Sequence, residues 1–250
     1  MYGTYEAVAE VIPQPDLLFF NYGFWRPGLD DSWIPPAYIR HRHHLNLVRH
    51  VLAGVDLQDK AVLEVGCGRG GNCLYLSQCS PAARMVGVDL CGANLALARR
   101  NPDFSKVAFV AGDAQRLPLK DSSFDVVLNL ESSHCYDRFD DFIGEVERVL
   151  RKSGVFCLAD MWDVDVLELD WAARERALKD SSLEIIAEEN ISEEVFQALG
   201  ISGNISEQLN ALADTASRPL IARLNQSAEA LRVGLALGGY SYKLWKLRKP

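Results

Sequence analysis

A chain of 250 residues with 48% hydrophobic and 24% charged content has an ordinary globular composition, long enough for one large α/β domain or two small ones, and a single domain is favoured. The formal net charge of −8 argues against a nucleic-acid partner, which needs clustered Lys and Arg: residues 160–194 hold twelve acids and three bases, whereas residues 218–250 hold seven bases and one acid. The amino terminus has no signal-peptide pattern, no apolar run nears the roughly 18 residues of a membrane span, and the six cysteines (Cys67, Cys73, Cys79, Cys91, Cys135, Cys157) form no CxxC pair, so the expectation is a cytoplasmic protein with reduced thiols and a small, largely neutral substrate.

Before Lys60, NYGFWRPGLDDSWIPP (residues 21–36) is too rich in Trp, Gly and Pro for a helix and is expected to be an irregular arm. From Lys60 onward, short apolar runs alternate with helical patterns. AVLEVGCG (61–68) is a strand and GGNCLYLSQC (70–79) the helix after it. ARMVGVDL (83–90), CGANLALARRN (91–101) and VAFVAGDA (107–114) continue as strand, helix and strand. The loop QRLPLKDSS (115–123) leads to the strand FDVVLNLE (124–131), the helix RFDDFIGEVERVLRKSG (138–154) and the strand VFCLADM (155–161). Buried strands separated by helices of roughly 10–15 residues indicate βαβ units and a parallel sheet covered on both faces. Gly154 is the expected helix stop.

Beyond Met161, a helix is expected over Val166–Lys179. LEIIAEENI (183–191) alternates like a strand with one wet face, residues 192–235 are helical, and GYSYKLWKLRK (239–249) alternates as a closing strand. The expected organisation is an arm and helix over 1–59 that close the site, a cofactor-binding core over 60–191, a helical substrate cap over 192–236 and a final strand over 237–250. There is no internal repeat or low-complexity tract.

LEVGCGRGG (63–71) joins a strand to a helix through glycines, which permit positive φ and let a ligand approach the backbone without meeting a Cβ. Gly66, Gly68 and Gly71 satisfy GxGxxG, a dinucleotide fingerprint that is weak alone. Glu64, two residues before the first glycine, would repel a pyrophosphate and suits a cationic ligand. Asp89, at the end of the second strand, is placed to grip two ribose hydroxyls, and Asp113, at the end of the third, to accept from an adenine amine. Together they describe a nucleoside with a cationic appendage.

VLEVGCGRGG, VGVDL, GDAQRLPLKDSSFDVV and EVERVLRKSG, in that order and spacing over about residues 60–160, resemble the Rossmann-like, class I S-adenosylmethionine-dependent methyltransferases. The resemblance implies an α/β fold with a seven-stranded, mostly parallel sheet, one antiparallel strand near its edge, helices on both faces and a helical cap before the last strand. It implies S-adenosylmethionine as cofactor, S-adenosylhomocysteine as product, and Glu64, Gly66, Gly68, Asp89 and Asp113 as cofactor-binding residues. Cys67, contributing backbone only, Leu90, Gly112, Ala114, Leu130 and Glu131 complete the expected contact set.

NYGFW (Asn21–Trp25) resembles the aromatic amino-terminal segment of bacterial natural-product and lipid methyltransferases, which folds over the methionine end of the cofactor. Aromatic faces stabilise a methylsulfonium by roughly 0.5–2 kcal/mol each, so Tyr22 and Trp25 are candidates for that contact, with simple anchoring of the arm as the other reading. RHRHH (Arg40–His44) places His41 and His44 on one helix face without acidic or cysteine neighbours; a solvated face is expected there and no metal site. In the cap, Phe196, Leu199, Leu209, Leu212, Leu220, Leu224 and Leu231 are candidate substrate-lining residues, though apolar residues at helical spacing more often belong to a core.

NLESSHCY (129–136) ends the fourth strand and LADM (158–161) the fifth, so His134 and Asp160 are expected on adjacent loops facing one crevice. An imidazole can take a proton from a hydroxyl as a methyl group arrives, and a carboxylate can hold its tautomer. The resemblance extends to antibiotic-sugar methyltransferases, where a His after LES and an Asp after the next strand have these roles; here the motif is ESSHCY rather than ESLHH. The expected function is general-base-assisted O-methylation of a small molecule in specialised or lipid-linked metabolism, with Glu131 as the runner-up base. N- or C-methylation, a nicotinamide-dependent oxidoreductase and a non-catalytic cofactor-binding regulator are the alternatives, and a homodimer is left open.

Overall fold

The computed structural model describes residues 2–11, 18–82, 84–201 and 218–250. Seven strands form one sheet: β1 (Ala61–Val65), β2 (Arg84–Asp89), β3 (Val107–Ala111), β4 (Phe124–Leu130), β5 (Leu150–Trp162), β6 (Glu184–Asn190) and β7 (Ser241–Arg248). Their order is β3-β2-β1-β4-β5-β7-β6. The pairs among β1 to β5 are parallel, while β7 runs antiparallel to both β5 and β6. The mostly parallel sheet with one antiparallel strand near its edge is the expected architecture.

Successive residues of the central strands feed two cores, one on each face of the sheet. Val62, Leu128 and Cys157 pack with Leu45, Val48 and Val51 of α2 (Arg42–Val51). Leu63, Val127, Phe156 and Leu158 pack with Phe142, Ile143 and Val146 of α5 (Phe139–Val149). Every residue of β1 is therefore buried, which is why that strand reads as continuous apolar sequence.

The remaining helices are α1 (Tyr2–Val11), α3 (Gly71–Cys79), α4 (Gly92–Arg100), α6 (Trp171–Asp180), α7 (Ser192–Ile201) and α8 (Arg218–Ala236). The arm over residues 18–35 contains no helix, as its composition requires. Asp170 caps α6 by accepting from Ala173 N at 2.8 Å; the helix expected from Val166 begins at Trp171, after a short 3₁₀ turn over Asp165–Leu167.

Two expectations fail. Gly154 does not stop α5: the helix ends at Val149 and β5 starts at Leu150. Gly154 lies where the β4–β5 register shifts between Phe124 and Val126, and a Cβ there would sit 2.9 Å from Arg151 O and 3.0 Å from Asp125 O. Its glycine serves close backbone approach within a bulged strand. β6 was expected to have one wet face and exposes most of both, because it is an edge strand; Glu184, Glu188 and Glu189 charge that edge against further pairing.

Candidate active site

A cavity lies at the carboxyl ends of β1 to β5, the end at which open α/β sheets bind ligands. Its floor is the glycine loop between β1 and α3. Gly66 and Gly68 have φ of +73° and +54°, values that side-chain-bearing residues rarely adopt. A Cβ at Gly66 would also run into Ser132 Oγ and lie 2.9 Å from Tyr136 Oη. The amides of Gly66 and Cys67 both donate to Val88 O, at 2.8 and 3.0 Å, so the loop is anchored on β2.

Three carboxylates border this floor. Asp89 accepts from Gly68 N at 2.7 Å with Oδ2 and from Cys91 N at 2.8 Å with Oδ1. Glu64 is 2% exposed and accepts from Asn72 Nδ2 at 2.7 Å and from the Cys73 thiol at 2.9 Å. Burial pushes its pKa up to about 7, against those two hydrogen bonds. Asp113 accepts from Gln115 N at 2.8 Å and Gln115 Nε2 at 3.1 Å. Leu90, Gly112, Ala114 and Leu130 line the same cavity. The Cys67 thiol packs toward Gly87 and Cys73 behind the loop.

The arm forms the roof. Phe20, Asn21 and Tyr22 line the cavity and Trp25 does not; the Trp25 amide instead donates to Glu194 O of α7 at 3.1 Å. Trp25, expected at the cavity, is carried away from it because the arm turns at Gly23 (φ +85°), where a Cβ would meet His43 Cβ at 2.9 Å. Glu131, itself at φ +48°, accepts from Tyr22 N at 2.8 Å and Tyr242 Oη at 2.7 Å through one oxygen. Burial pushes the Glu131 pKa up to about 8.

His41, His43 and His44 are buried rather than solvated, because the end of a 3₁₀ turn (Pro36–His41) and the start of α2 hold them beneath the arm. His44 Nδ1–H donates to Asn21 O at 2.6 Å, and burial depresses its pKa to about 4. Among the described residues no group of three or more His, Cys, Asp or Glu is arranged to hold a metal ion.

His134 and Asp160 meet. His134 sits in a 3₁₀ turn (Ser133–Cys135) after β4 and lines the cavity; Asp160 belongs to β5. His134 Nδ1 and Asp160 Oδ1 are 2.8 Å apart, while Asp160 Oδ2 accepts from Ser133 Oγ at 2.6 Å and His134 N at 3.0 Å. They are 6% and 1% exposed. Burial alone would lower the imidazole pKa; the Asp160 charge and hydrogen bond outweigh it and hold His134 well above its usual range. Burial likewise works to raise Asp160, but His134 and three hydrogen bonds keep it below its usual range.

Three residues of the cavity and its roof were not expected from the sequence: Phe20, Asn72 and Tyr242. Only Asn72 left a signal, in the first turn of the helix that the glycine loop opens. None of the apolar cap candidates among the described residues lines this cavity: Leu199 and Leu231 are core and Phe196 packs against it. Leu209 and Leu212 lie outside the described residues.

The family model described as "Methyltransferase domain" matches residues 63–158. The fatty-acid O-methyltransferase of Mycolicibacterium smegmatis is 34% identical over 221 residues, 87% of this chain and 77% of that protein. The phthiotriol/phenolphthiotriol dimycocerosates methyltransferase of Mycobacterium tuberculosis is 35% identical over 205 residues, 82% of this chain and 74% of that protein. Among solved structures, the [4+2]-cyclase SpnF superposes with a TM-score of 0.74 at 20% identity, over 99% of this chain and 94% of that one, a likeness of fold.

Proposed function

The chain belongs to the S-adenosylmethionine-dependent methyltransferases, and from that membership we propose that it methylates an oxygen of a lipid-like small molecule, with His134 as general base. The observation that carries this reading is the buried His134–Asp160 pair facing the cofactor cavity, Nδ1 to Oδ1 at 2.8 Å.

The residues around the cavity suit the cofactor. Glu64 would offer a buried carboxylate to the cationic methionine end, and Asp89 and Asp113 would hold the ribose hydroxyls and the adenine amine. Gly66 and Gly68 leave open backbone where a Cβ would obstruct, and Leu90, Gly112, Ala114 and Leu130 provide the surrounding wall, with Cys67 contributing backbone. Tyr22, which lines the cavity where Trp25 does not, would take the aromatic role at the sulfonium. The bound cofactor supplies an electrophilic, already activated methyl group.

What the chain adds is position and proton transfer. Asp160 engages Nδ1 of the imidazole, so Nε2 is the nitrogen proposed to meet the acceptor. A neutral His134 draws the proton from an acceptor hydroxyl as its oxygen becomes nucleophilic, and Asp160 then stabilises the resulting imidazolium. Glu131, engaged by Tyr22 and Tyr242, serves the roof of the site rather than the acceptor.

The relatives support that acceptor class, one being named a fatty-acid O-methyltransferase and another a phthiotriol/phenolphthiotriol dimycocerosates methyltransferase. The raised His134 pKa favours one further possibility within it, a carboxylate acceptor bound by the imidazolium without proton removal. Incubation with deuteriomethyl-labelled cofactor and a panel of long-chain alcohols, phenols, fatty acids and amines, read by mass spectrometry, tests the proposal. Label on oxygen is the expected result; label only on nitrogen or carbon would overturn it. His134→Ala should abolish turnover of an alcohol, and for a carboxylate it should chiefly raise KM.

A further inference from the structure

The turn that carries His134 is gripped by two elements. Asp160 of β5 takes its amide and imidazole, and Arg174 of α6 takes its carbonyls: Nη1–H donates to Ser133 O at 2.8 Å and Nη2–H to Tyr136 O. These carbonyls stand at the beginning of the 3₁₀ turn and just past its end, so one guanidinium spans the turn. Lysine, a point charge on a flexible stem, cannot reproduce such a fork.

Arg174 is only 5% exposed. Its guanidinium lies 4.8 Å from the Phe139 ring centroid and 5.7 Å from that of Trp171. Burying a cation is costly unless something nearby requires the charge, and a neutral amide could donate to two carbonyls. No carboxylate accepts a hydrogen bond from Arg174 among the described residues; Ser133 joins it to Asp160, accepting from the guanidinium with its carbonyl at 2.8 Å and donating its hydroxyl to Asp160 Oδ2 at 2.6 Å, and Asp160 acts on its charge more strongly than Cys135, Asp137 and Asp140. The charge is therefore set where it acts on the partner of His134.

We infer that Arg174 is a positioning residue of the methyl-transfer site: it pins both ends of the turn bearing His134 and sets its charge against Asp160. This rests on the reading of His134 as the base. A cation in that place shares the field of Asp160 with the imidazolium, which makes the proton on His134 easier to lose. The other charged or titratable groups around the pair are Glu131 and Cys135 from the His134 loop, Tyr22 from the arm and Tyr242 from β7.

Three full-length variants, each saturated with S-adenosylhomocysteine, separate charge from geometry. Their His134 imidazoles are titrated by nitrogen–proton NMR, and kcat and KM are measured alongside. Arg174→Met should lower kcat by about tenfold to a hundredfold, as expected for a slight misplacement, leave the cofactor KM within about twofold and move the His134 titration to higher pH. Arg174→Lys should keep the wild-type titration while kcat stays reduced. Arg174→Gln, which can serve both carbonyls without charge, should show the Met titration with a smaller loss of kcat, and it replaces Met if that variant does not fold. An unshifted titration in the uncharged variants, or wild-type kcat in Arg174→Lys, would overturn the inference. The titration needs no turnover, so it judges Arg174 even if His134→Ala proves fully active and the base reading falls.

Discussion

Asp160 turns both carboxylate oxygens onto the His134 turn, Oδ1 to the imidazole Nδ1 at 2.8 Å and Oδ2 to the backbone amide at 3.0 Å. One side chain thus fixes where the imidazole is and engages its Nδ1. Asp160→Asn keeps the size and removes the charge that stabilises the imidazolium. With an alcohol acceptor, kcat should fall about 10²–10⁴-fold, the usual worth of general-base assistance. Calorimetric affinity for S-adenosylhomocysteine should stay within a few-fold, and an equal loss of both would mean that the pair only supports the cavity.

The same pair dictates pH behaviour. His134 is raised, so its contribution to stability is complete below the ordinary imidazole value of about 6.5 and is lost as pH rises through its elevated value. Asp160 is lowered, so its contribution is present above the usual 3.8 and is lost as pH falls through its depressed value. Denaturant unfolding should therefore show the pair's full effect between those two ordinary values. Activity on an alcohol should follow the opposite limb, rising with pH as His134 becomes neutral at a pH above the ordinary imidazole range; a limb centred at or below 6.5 would contradict this arrangement.

Glu131 behaves as a largely neutral acid near pH 7, its pKa pushed up to about 8 by burial. Stability tied to its protonated form is fully present below its unfolded value and declines as pH rises through 8. Glu131→Gln should match wild-type stability only below about pH 4.5 and exceed it increasingly as pH rises toward 8 and beyond. Glu131→Ala strands the Tyr22 amide and the Tyr242 hydroxyl and should cost about 1–3 kcal/mol, measured by urea unfolding.

Glu64, with a pKa near 7 before any cation arrives, should lose its proton when the cationic end of the cofactor binds. Titration calorimetry at pH 7 in buffers of different ionisation enthalpy should detect proton release, and Glu64→Gln should abolish it while weakening binding about tenfold or more. Asn72→Ala, which removes the 2.7 Å hydrogen bond to Glu64, should increase the release. Equal binding enthalpies across buffers would reject this role for Glu64.

At Gly66, alanine would have to adopt φ +73° and press against Ser132 and Tyr136. The backbone alone costs about 1–2 kcal/mol. Because Ser132 shares Asn129 Nδ2 with Tyr136, the disturbance passes to the His134 turn. Gly66→Ala should lose at least about tenfold in cofactor affinity, equivalent to 1.4 kcal/mol, with a lower melting temperature; unchanged affinity would show that the loop tolerates a side chain.

The parallel part of the sheet was legible because strands buried on both faces leave unbroken apolar runs such as Ala61–Val65. The glycine loop and its three carboxylates were legible because they occupy fixed places at strand ends. What stayed hidden depends on contacts between distant segments. Tyr242 reaches Glu131 across 111 positions, and Arg174 reaches Ser133 across 41; no local pattern encodes either pairing. The histidines near residue 43 look polar in sequence, and only packing against Phe19 and Asn21 makes them interior residues. Gly154 misled because a glycine after a helix resembles a stop signal, whether it ends the helix or eases a bulge.

The last strand in the chain, β7, lies between β5 and β6. Asp160 faces Lys243 across that ladder, and Asn190 faces Lys243 from the other side. β7 must therefore be in place before β6 has any neighbour to join or the strand holding Asp160 gains its second one. Until then the polypeptide carries the glycine loop and the His134 turn without the finished wall behind them. Assembly of this edge joins segments distant in sequence, and loss of β7 would undo the support of Asp160, more than eighty positions before its ladder partner Lys243.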